Sequence, residues 1–519
     1  MPQWLESAVF YEIYPQSFYD SNADGIGDIP GIIEKLDYVK SVGCNALWIN
    51  PCFDSPFKDA GYDVRDYKKV AARYGSNEDL RRLFETAHAK NMRVLLDLVP
   101  GHTSEEHAWF QKSKLPQPNA FSNRYIWSDS WIYWENEGLR FVAGEAERNG
   151  VYIINFFKCQ PALNYGFLQP RQKWQLPVDH PDCQAAREAL KDVMRFWLEA
   201  GCDGFRVDMA DSLVKFDDEQ KTGTRALWQD VRRMLDAEFP HAALVSEWSC
   251  PPLALDAGFH ADFALDHGGS GYQSLVRDFT VSERGEITAN HSFFKKTGEN
   301  GIRRFLDQYM DWYEKTKGRG YISLITGNHD TPRISYGLDT QELALAYAML
   351  FTFPGVPFLY YGDEIGMRYI PGLPTKEGGY TRTGSRTPMQ WSAGKNKGFS
   401  AAASSALYLP PDAGTSAPDV AAQEEDKNSL LATVKSILRL RAENPGLQAR
   451  PNLEILYADG LPFVYRRENF TLAVNPKAAS HTAPVDARGA PLVFSKGECS
   501  ADSGALRLGP QSFGVWKKA

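Results

Sequence analysis

The chain has 519 residues, of which 43% are hydrophobic and 24% charged. That length at roughly 150 residues per domain, with near-average composition, predicts a folded chain of several units and excludes disordered, collagen-like and coiled-coil classes. A net charge of −8 favours neither a nucleic-acid backbone nor an anionic membrane surface, so a neutral substrate is easiest to accommodate. The start, MPQWLESAVFYEIYPQ, has no basic region followed by an apolar stretch, and no run approaches about 18 apolar residues. A cytoplasmic protein without a membrane partner is therefore expected. The seven cysteines are scattered without Cys-x-x-Cys spacing, which predicts neither a disulfide framework nor a zinc site. An aromatic share of 13% suits sugar faces as well as large cores.

In chain order, the first β-branched or aromatic run is FYEIYPQSF from Phe10. It leads into Asp20-Ser-Asn22-Ala-Asp24-Gly25-Ile26-Gly-Asp28, where oxygen donors fall at positions 1, 3, 5 and 9 and the Ile26 carbonyl is available at position 7. That spacing resembles a loop wrapped round a hard cation such as Ca²⁺; the alternative is a hydrogen-bonded Asx turn before a helix from Pro30. Further runs follow: ALWIN from Ala46, RVLLDLV from Arg93, GFRVDM from Gly204, ALVSEW from Ala243, ADFAL from Ala261, YISLIT from Tyr321 and VPFLYY from Val356. Amphipathic stretches lie between them, with Leu190, Val193, Met194 and Trp197 on one helical face and Leu430, Val434, Ile437 and Leu438 on another. Eight strands with interleaved helices predict an α/β fold of the (β/α)8 barrel type.

Two segments depart from a plain barrel. WSDSWIYW, RFVAG and VYIINFF, between Thr103 and about Tyr165, predict short strands inserted after the third barrel strand. After a helix from Ser429 to Glu443, Asn444-Pro445-Gly446 breaks the pattern and the remainder alternates as strands. The expected organisation is barrel over 1–102, inserted subdomain over 103–167, barrel again over 168–446 and a C-terminal antiparallel β domain over 447–519. A Gly/Ser/Ala/Pro-rich stretch from about Gly372 to Pro418 is long for a connection unless it shapes a binding site.

Functional groups of such a barrel lie at the C-terminal ends of the strands. There the sequence places Asp97 and His102, Arg206 and Asp208, Glu247, and His329 with Asp330. Arg206 and Asp208 are two apart in a strand and share a face, so Arg206 is expected to hold Asp208 ionised. Three carboxylates, an arginine and two histidines around one cavity suit acid/base chemistry on an uncharged bond, as glycoside hydrolysis requires.

DLVPGH, GFRVDMAD, SEW and GNHD resemble, in order, the four signature segments of the α-amylase superfamily, glycoside hydrolase family 13, and QPALNYG resembles a fifth. The resemblance covers essentially the whole chain. It implies Asp208 as nucleophile, Glu247 as acid/base and Asp330 as transition-state stabiliser. It also implies Arg206 orienting the nucleophile, His102 and His329 binding sugar hydroxyls, Asp97 as a structural residue, and Tyr62 stacking under the sugar. GSRTPMQW resembles the arginine-bearing segment of oligo-1,6-glucosidases, maltases and trehalose synthases, which implies an Asp59–Arg386 pair closing the first sugar subsite. The loop of Asp20, Asn22, Asp24, Ile26 and Asp28 then resembles a structural Ca²⁺ or Mg²⁺ site. Gly101 stands where many endo-acting members carry a calcium-ligating asparagine, and Ala162 and Met209 also depart from the branch pattern. The expectation is a retaining, exo-acting α-glucosidase taking short oligosaccharides or disaccharides and no organic cofactor. The rivals are a transferase or isomerase of trehalose synthase type using the same residues and a non-catalytic amylase-like interaction module.

Overall fold

The computed structural model describes residues 1–266, 269–502 and 504–518. Eight parallel strands appear where the sequence predicts them: β1 (Phe10–Ile13), β2 (Ala46–Ile49), β3 (Arg93–Leu98), β4 (Gly204–Val207), β5 (Ala243–Ser246), β6 (Ala261–Ala264), β7 (Tyr321–Leu324) and β8 (Phe358–Tyr360). They lie side by side in the order β7-β6-β5-β4-β3-β2-β1-β8. A single parallel bridge from Ile325 to Phe358 brings the two ends together, making this a TIM barrel. Strands covered on both faces read as near-continuous apolar runs, and every residue of β1, β2, β4, β5 and β6 is buried. The start of β4 requires glycine: Gly204 has φ +137°, and a Cβ there would lie 2.0 Å from the Ala243 carbonyl oxygen.

The predicted helical faces turn inward. Leu190, Val193, Met194 and Trp197 are buried on helix Pro181–Glu199, and Leu430, Val434, Ile437 and Leu438 on helix Leu430–Glu443. Ser429 caps the latter, accepting from the Ala432 N–H, and so stands just outside it.

After β3 the chain forms a three-stranded antiparallel sheet from Trp127–Ser128, Phe141–Val142 and Val151–Ile153. Beyond the last long helix lie antiparallel sheets of five and three strands, with a separate cluster of Val464, Ala473, Leu506, Leu508 and Trp516. The stretch after β8 folds onto the barrel mouth. Tyr360 and Tyr361 hydroxyls donate to the carbonyls of Ser385 (3.1 Å) and Thr387 (2.6 Å), and the Ser17 hydroxyl donates to that of Arg386 (2.6 Å).

Candidate active site

A cavity of about 410 Å³ opens at the C-terminal ends of the barrel strands, lined by Asp59, Tyr62, His102, Asp208, Glu247, Asp330 and Arg382 with Phe156, Phe157, Met209 and Tyr380. Asp208 directly follows β4 and Glu247 directly follows β5, so strand register alone sets two carboxyls side by side. Met209 turns the chain sharply at φ 42°, and its N–H donates to Glu247 Oε2 at 3.1 Å.

Arg206 has no solvent exposure and serves three carboxylates. Its Nη1 donates to Asp97 Oδ1 (2.9 Å) and Asp208 Oδ1 (3.2 Å), and its Nη2 lies 2.7 Å from Glu247 Oε2. Burial pushes Asp97 up to about 6 against the opposing pull of Arg206. Burial, then the Glu247 carboxylate, push Asp208 well above the usual range, with Arg206 opposing both. The expected Arg206–Asp208 contact is present, but the same guanidinium is divided among three anions.

Asp330 is held differently. Burial would raise its carboxyl, but His329, Arg386 and Arg382 outweigh it and hold Asp330 below the ordinary range. Arg382 Nη1 and Arg386 Nη2 both donate to Asp330 Oδ1 at 2.9 Å. A firmly ionised carboxylate therefore faces Asp208, whose ionisation burial and Glu247 oppose.

Six of the nine sugar-site residues expected from the sequence reach the cavity wall: Asp59, Tyr62, His102, Asp208, Glu247 and Asp330. Arg206, His329 and Arg386 lie behind it. Tyr62 stacks on His329 at 5.2 Å between ring centres and donates from its hydroxyl to Asp97 Oδ2 at 3.0 Å. His102 Nε2 donates to the Tyr62 carbonyl at 3.1 Å, which fixes its tautomer, and burial lowers its pKa to about 4. His329, expected to bind a sugar hydroxyl, is 1% exposed: Nε2 meets the Tyr62 hydroxyl at 2.7 Å, and Nδ1 meets Glu12 (3.0 Å) and Asn50 (3.1 Å). Both its nitrogens are engaged by protein, so it braces the wall from behind.

The Asp59–Arg386 pair is corrected. Arg386 is buried, donating to the His329 carbonyl at 2.9 Å and to Asp330, and approaching the Tyr14 hydroxyl at 3.4 Å. Arg382, four residues earlier on the 3-10 turn Tyr380–Ser385, instead spans Asp330 and Asp59, lying 3.4 Å from Asp59 Oδ1. Gln160 Nε2 donates to Asp59 Oδ2 at 2.8 Å. Sequence reasoning missed Arg382 and Gln160, although both lie within segments already singled out: Arg382 precedes Arg386 at helical spacing, and Gln160 opens QPALNYG.

In the Asp20–Asp28 loop, Asp20 Oδ1 accepts from the Asn22 and Ala23 N–H groups and Oδ2 from Gly25; Asn22 accepts from Asp24, and Asp24 from Ile26. Asp28 caps the helix Ile29–Glu34 through the Gly31 N–H. These are the Asx turns of the alternative reading. Among the described residues no three His, Cys, Asp or Glu side chains gather as a metal set. The donors are all oxygens, which in kind suits a hard cation.

Residues 12–449 match the model of the α-amylase catalytic domain. The chain belongs to the α-amylase family. This glycoside hydrolase is 34% identical to the trehalose synthase/amylase of Mycolicibacterium smegmatis over 85% of its own length and 76% of that protein's. It is 31% identical to the oligo-1,6-glucosidase of Heyndrickxia coagulans over 90% of each chain. In fold it matches the isomaltulose synthase of Erwinia rhapontici, solved with D-glucose, with a TM-score of 0.81 at 24% identity over 100% of this chain and 99% of that one. No described helix is long and apolar enough to cross a membrane.

Proposed function

We propose that this family member is a retaining, exo-acting α-glucosidase of short α-glucosides. The observation that carries the reading is the meeting of Asp208, Glu247 and Asp330 in one cavity with Arg206 between the first two. Asp208 attacks the anomeric carbon while Glu247 protonates the departing oxygen, leaving a glycosyl ester on Asp208. Glu247 then takes a proton from water as it cleaves that ester. Asp330, held ionised by two guanidiniums, steadies the positive charge of the oxocarbenium-like transition state. Asp59, braced from behind by Gln160, and Arg382 present polar groups on the cavity wall, where a terminal sugar would satisfy them and a continuing chain would not. The test is the first product released from an α-glucoside, followed by NMR: an α-anomer supports the mechanism, and a β-anomer overturns it.

A second reading, isomerisation or transfer through the same intermediate, draws support from the trehalose synthase names among the relatives and from the apolar side chains of Phe156, Phe157 and Met209 on the cavity wall, which disfavour free water. Incubation with maltose separates the two: glucose alone marks hydrolysis, whereas trehalose or longer sugars mark transfer.

For the loop, the proposal is that Ca²⁺ binds to Asp20, Asn22, Asp24, Asp28 and the Ile26 carbonyl. Its part would be to tie down the connection after β1.

A further inference from the structure

Asp262 lies on β6, has no solvent exposure, does not line the cavity and, among the described residues, meets no opposite charge within salt-bridge distance. A buried carboxylate without a counter-ion is expensive unless hydrogen bonds replace its water. Asp262 has four. Its Oδ1 accepts from the Ser246 hydroxyl (2.7 Å) and from the Trp248 (3.1 Å) and Ser249 (3.4 Å) N–H groups, and its Oδ2 accepts from the Cys250 N–H (2.8 Å).

Those donors bracket Glu247 in the chain. Ser246 ends β5 and pairs in register with Asp262, and Trp248 to Cys250 form the turn that follows. Ser249 takes a left-handed conformation at φ 59°, which few non-glycine residues adopt without something to hold them there. From the other side, the Glu247 N–H donates to the Val207 carbonyl at 3.0 Å and the Met209 N–H to its carboxylate at 3.1 Å. One carboxylate from β6 therefore gathers the N–H groups of three successive residues after Glu247.

We infer that Asp262 is a positioning residue for Glu247, fixing through Ser246 and the Trp248–Cys250 turn the direction in which the acid/base carboxyl projects into the cavity. This rests on the proposed role of Glu247 as proton donor. In its absence the three turn N–H groups would lose their common acceptor, the left-handed Ser249 would relax, and Glu247 would swing relative to the glycosidic oxygen. A shift of this kind weakens proton donation while leaving nucleophile and sugar pocket in place.

Leaving-group dependence tests it. Expulsion of fluoride from α-glucosyl fluoride needs little protonation, whereas expulsion of a sugar alcohol from maltose needs it fully. In Asp262→Asn, where an amide N–H would oppose a backbone N–H, kcat/KM on maltose should fall roughly 10- to 100-fold, a large part of what a general acid contributes. On the fluoride it should change less than about 3-fold, since that step does not draw on the acid. Ser246→Ala, which removes one of the four donors and is the milder change if Asp262→Asn does not fold, should shift the same ratio by a smaller factor. Equal losses on both substrates, or no loss on maltose, would overturn the inference. Glu247→Gln is the control: if it too fails to discriminate between the substrates, the acid/base assignment falls; if it discriminates and the Asp262 and Ser246 variants do not, only the positioning role falls.

Discussion

Arg382 and Asp59 face each other 3.4 Å apart at one end of the cavity, although 323 residues separate them in sequence. Because Arg382 also holds Asp330 at 2.9 Å, a single side chain ties together two carboxylates of the cavity wall, the proposed chain-end contact and the proposed transition-state stabiliser.

Arg382→Ala should therefore damage binding and turnover together. Leaving Asp59 without its cation costs about 1–3 kcal/mol, so kcat/KM on a disaccharide should drop by about 5- to 150-fold, with amylose cleavage rising relative to it. An unchanged preference for short substrates would place chain-end recognition elsewhere.

Arg386→Ala should behave as a folding mutation as well. It removes a buried cation bound to Asp330 and the His329 carbonyl; Arg382 still pairs with Asp330, but leaving the buried carbonyl without its donor costs about 1–3 kcal/mol. A clear fall in melting temperature, larger than that of Arg382→Ala, is the expected result of a side-by-side melt.

For Asp208→Asn, activity and stability should move in opposite directions. Burial and Glu247 raise this carboxyl in the folded protein, so above the unfolded pKa its ionisation works against folding, increasingly so as pH climbs toward the folded value. At neutral pH the amide should raise Tm by about 1–3 °C while turnover on disaccharides falls about 10⁴-fold. A destabilised variant would mean that Arg206 stabilises the ionised form more than burial and Glu247 oppose it.

His107 offers a pH test away from the chemistry. Burial, with Arg124 adding to it, lowers its pKa from 6.5 to about 3, and its Nδ1 caps the helix Ala108–Ser113. A depressed histidine gives stability that is full above pH 6.5 and lost as pH falls towards the folded value. Buried acids such as Asp97, raised to about 6, act with the opposite sign, so the informative quantity is a difference. His107→Asn keeps a capping oxygen; wild-type stability minus variant stability should decline by about 1.4 kcal/mol per pH unit below pH 6.5, as read by urea unfolding. A pH-independent difference would show that His107 takes up its proton in the fold as readily as in the unfolded chain.

If the Asp20–Asp28 loop takes Ca²⁺, added calcium should raise Tm and chelator should lower it, with little effect on the turnover of folded enzyme. Identical melts in calcium and in excess chelator would leave the Asx turns and the Asp28 cap as the whole account of the loop.

The barrel was legible because buried parallel strands leave continuous apolar runs, and the carboxylates because they sit at or just after the ends of those runs. What the sequence could not convey is which arginine turns which way. Arg382 and Arg386 are four apart on one short turn, and only the packing of that turn against Tyr360, Ser17 and Thr331 sends Arg386 inward and leaves Arg382 at the wall. The sharing of Arg206 was equally hidden, since Asp97 and Glu247 come to it from neighbouring strands, 109 residues away in the case of Asp97. Asp262 looked like one more strand residue because its partners are mostly backbone N–H groups, which carry no side-chain signature.

The segment after β8 supplies Arg382 and Tyr380 to the cavity wall and Arg386 behind it, while most of the other walls come from far earlier in the chain; Arg386 and the Tyr14 hydroxyl it approaches are 372 positions apart. During synthesis, which proceeds at about 5–20 residues per second, a nascent chain could present Asp208 and Glu247 well before the arginines that steady Asp330 have left the ribosome. On the proposed reading, competence thus arrives late, and a chain interrupted before residue 380 would carry Asp208 and Glu247 without Arg382 and Tyr380 on the wall of their cavity.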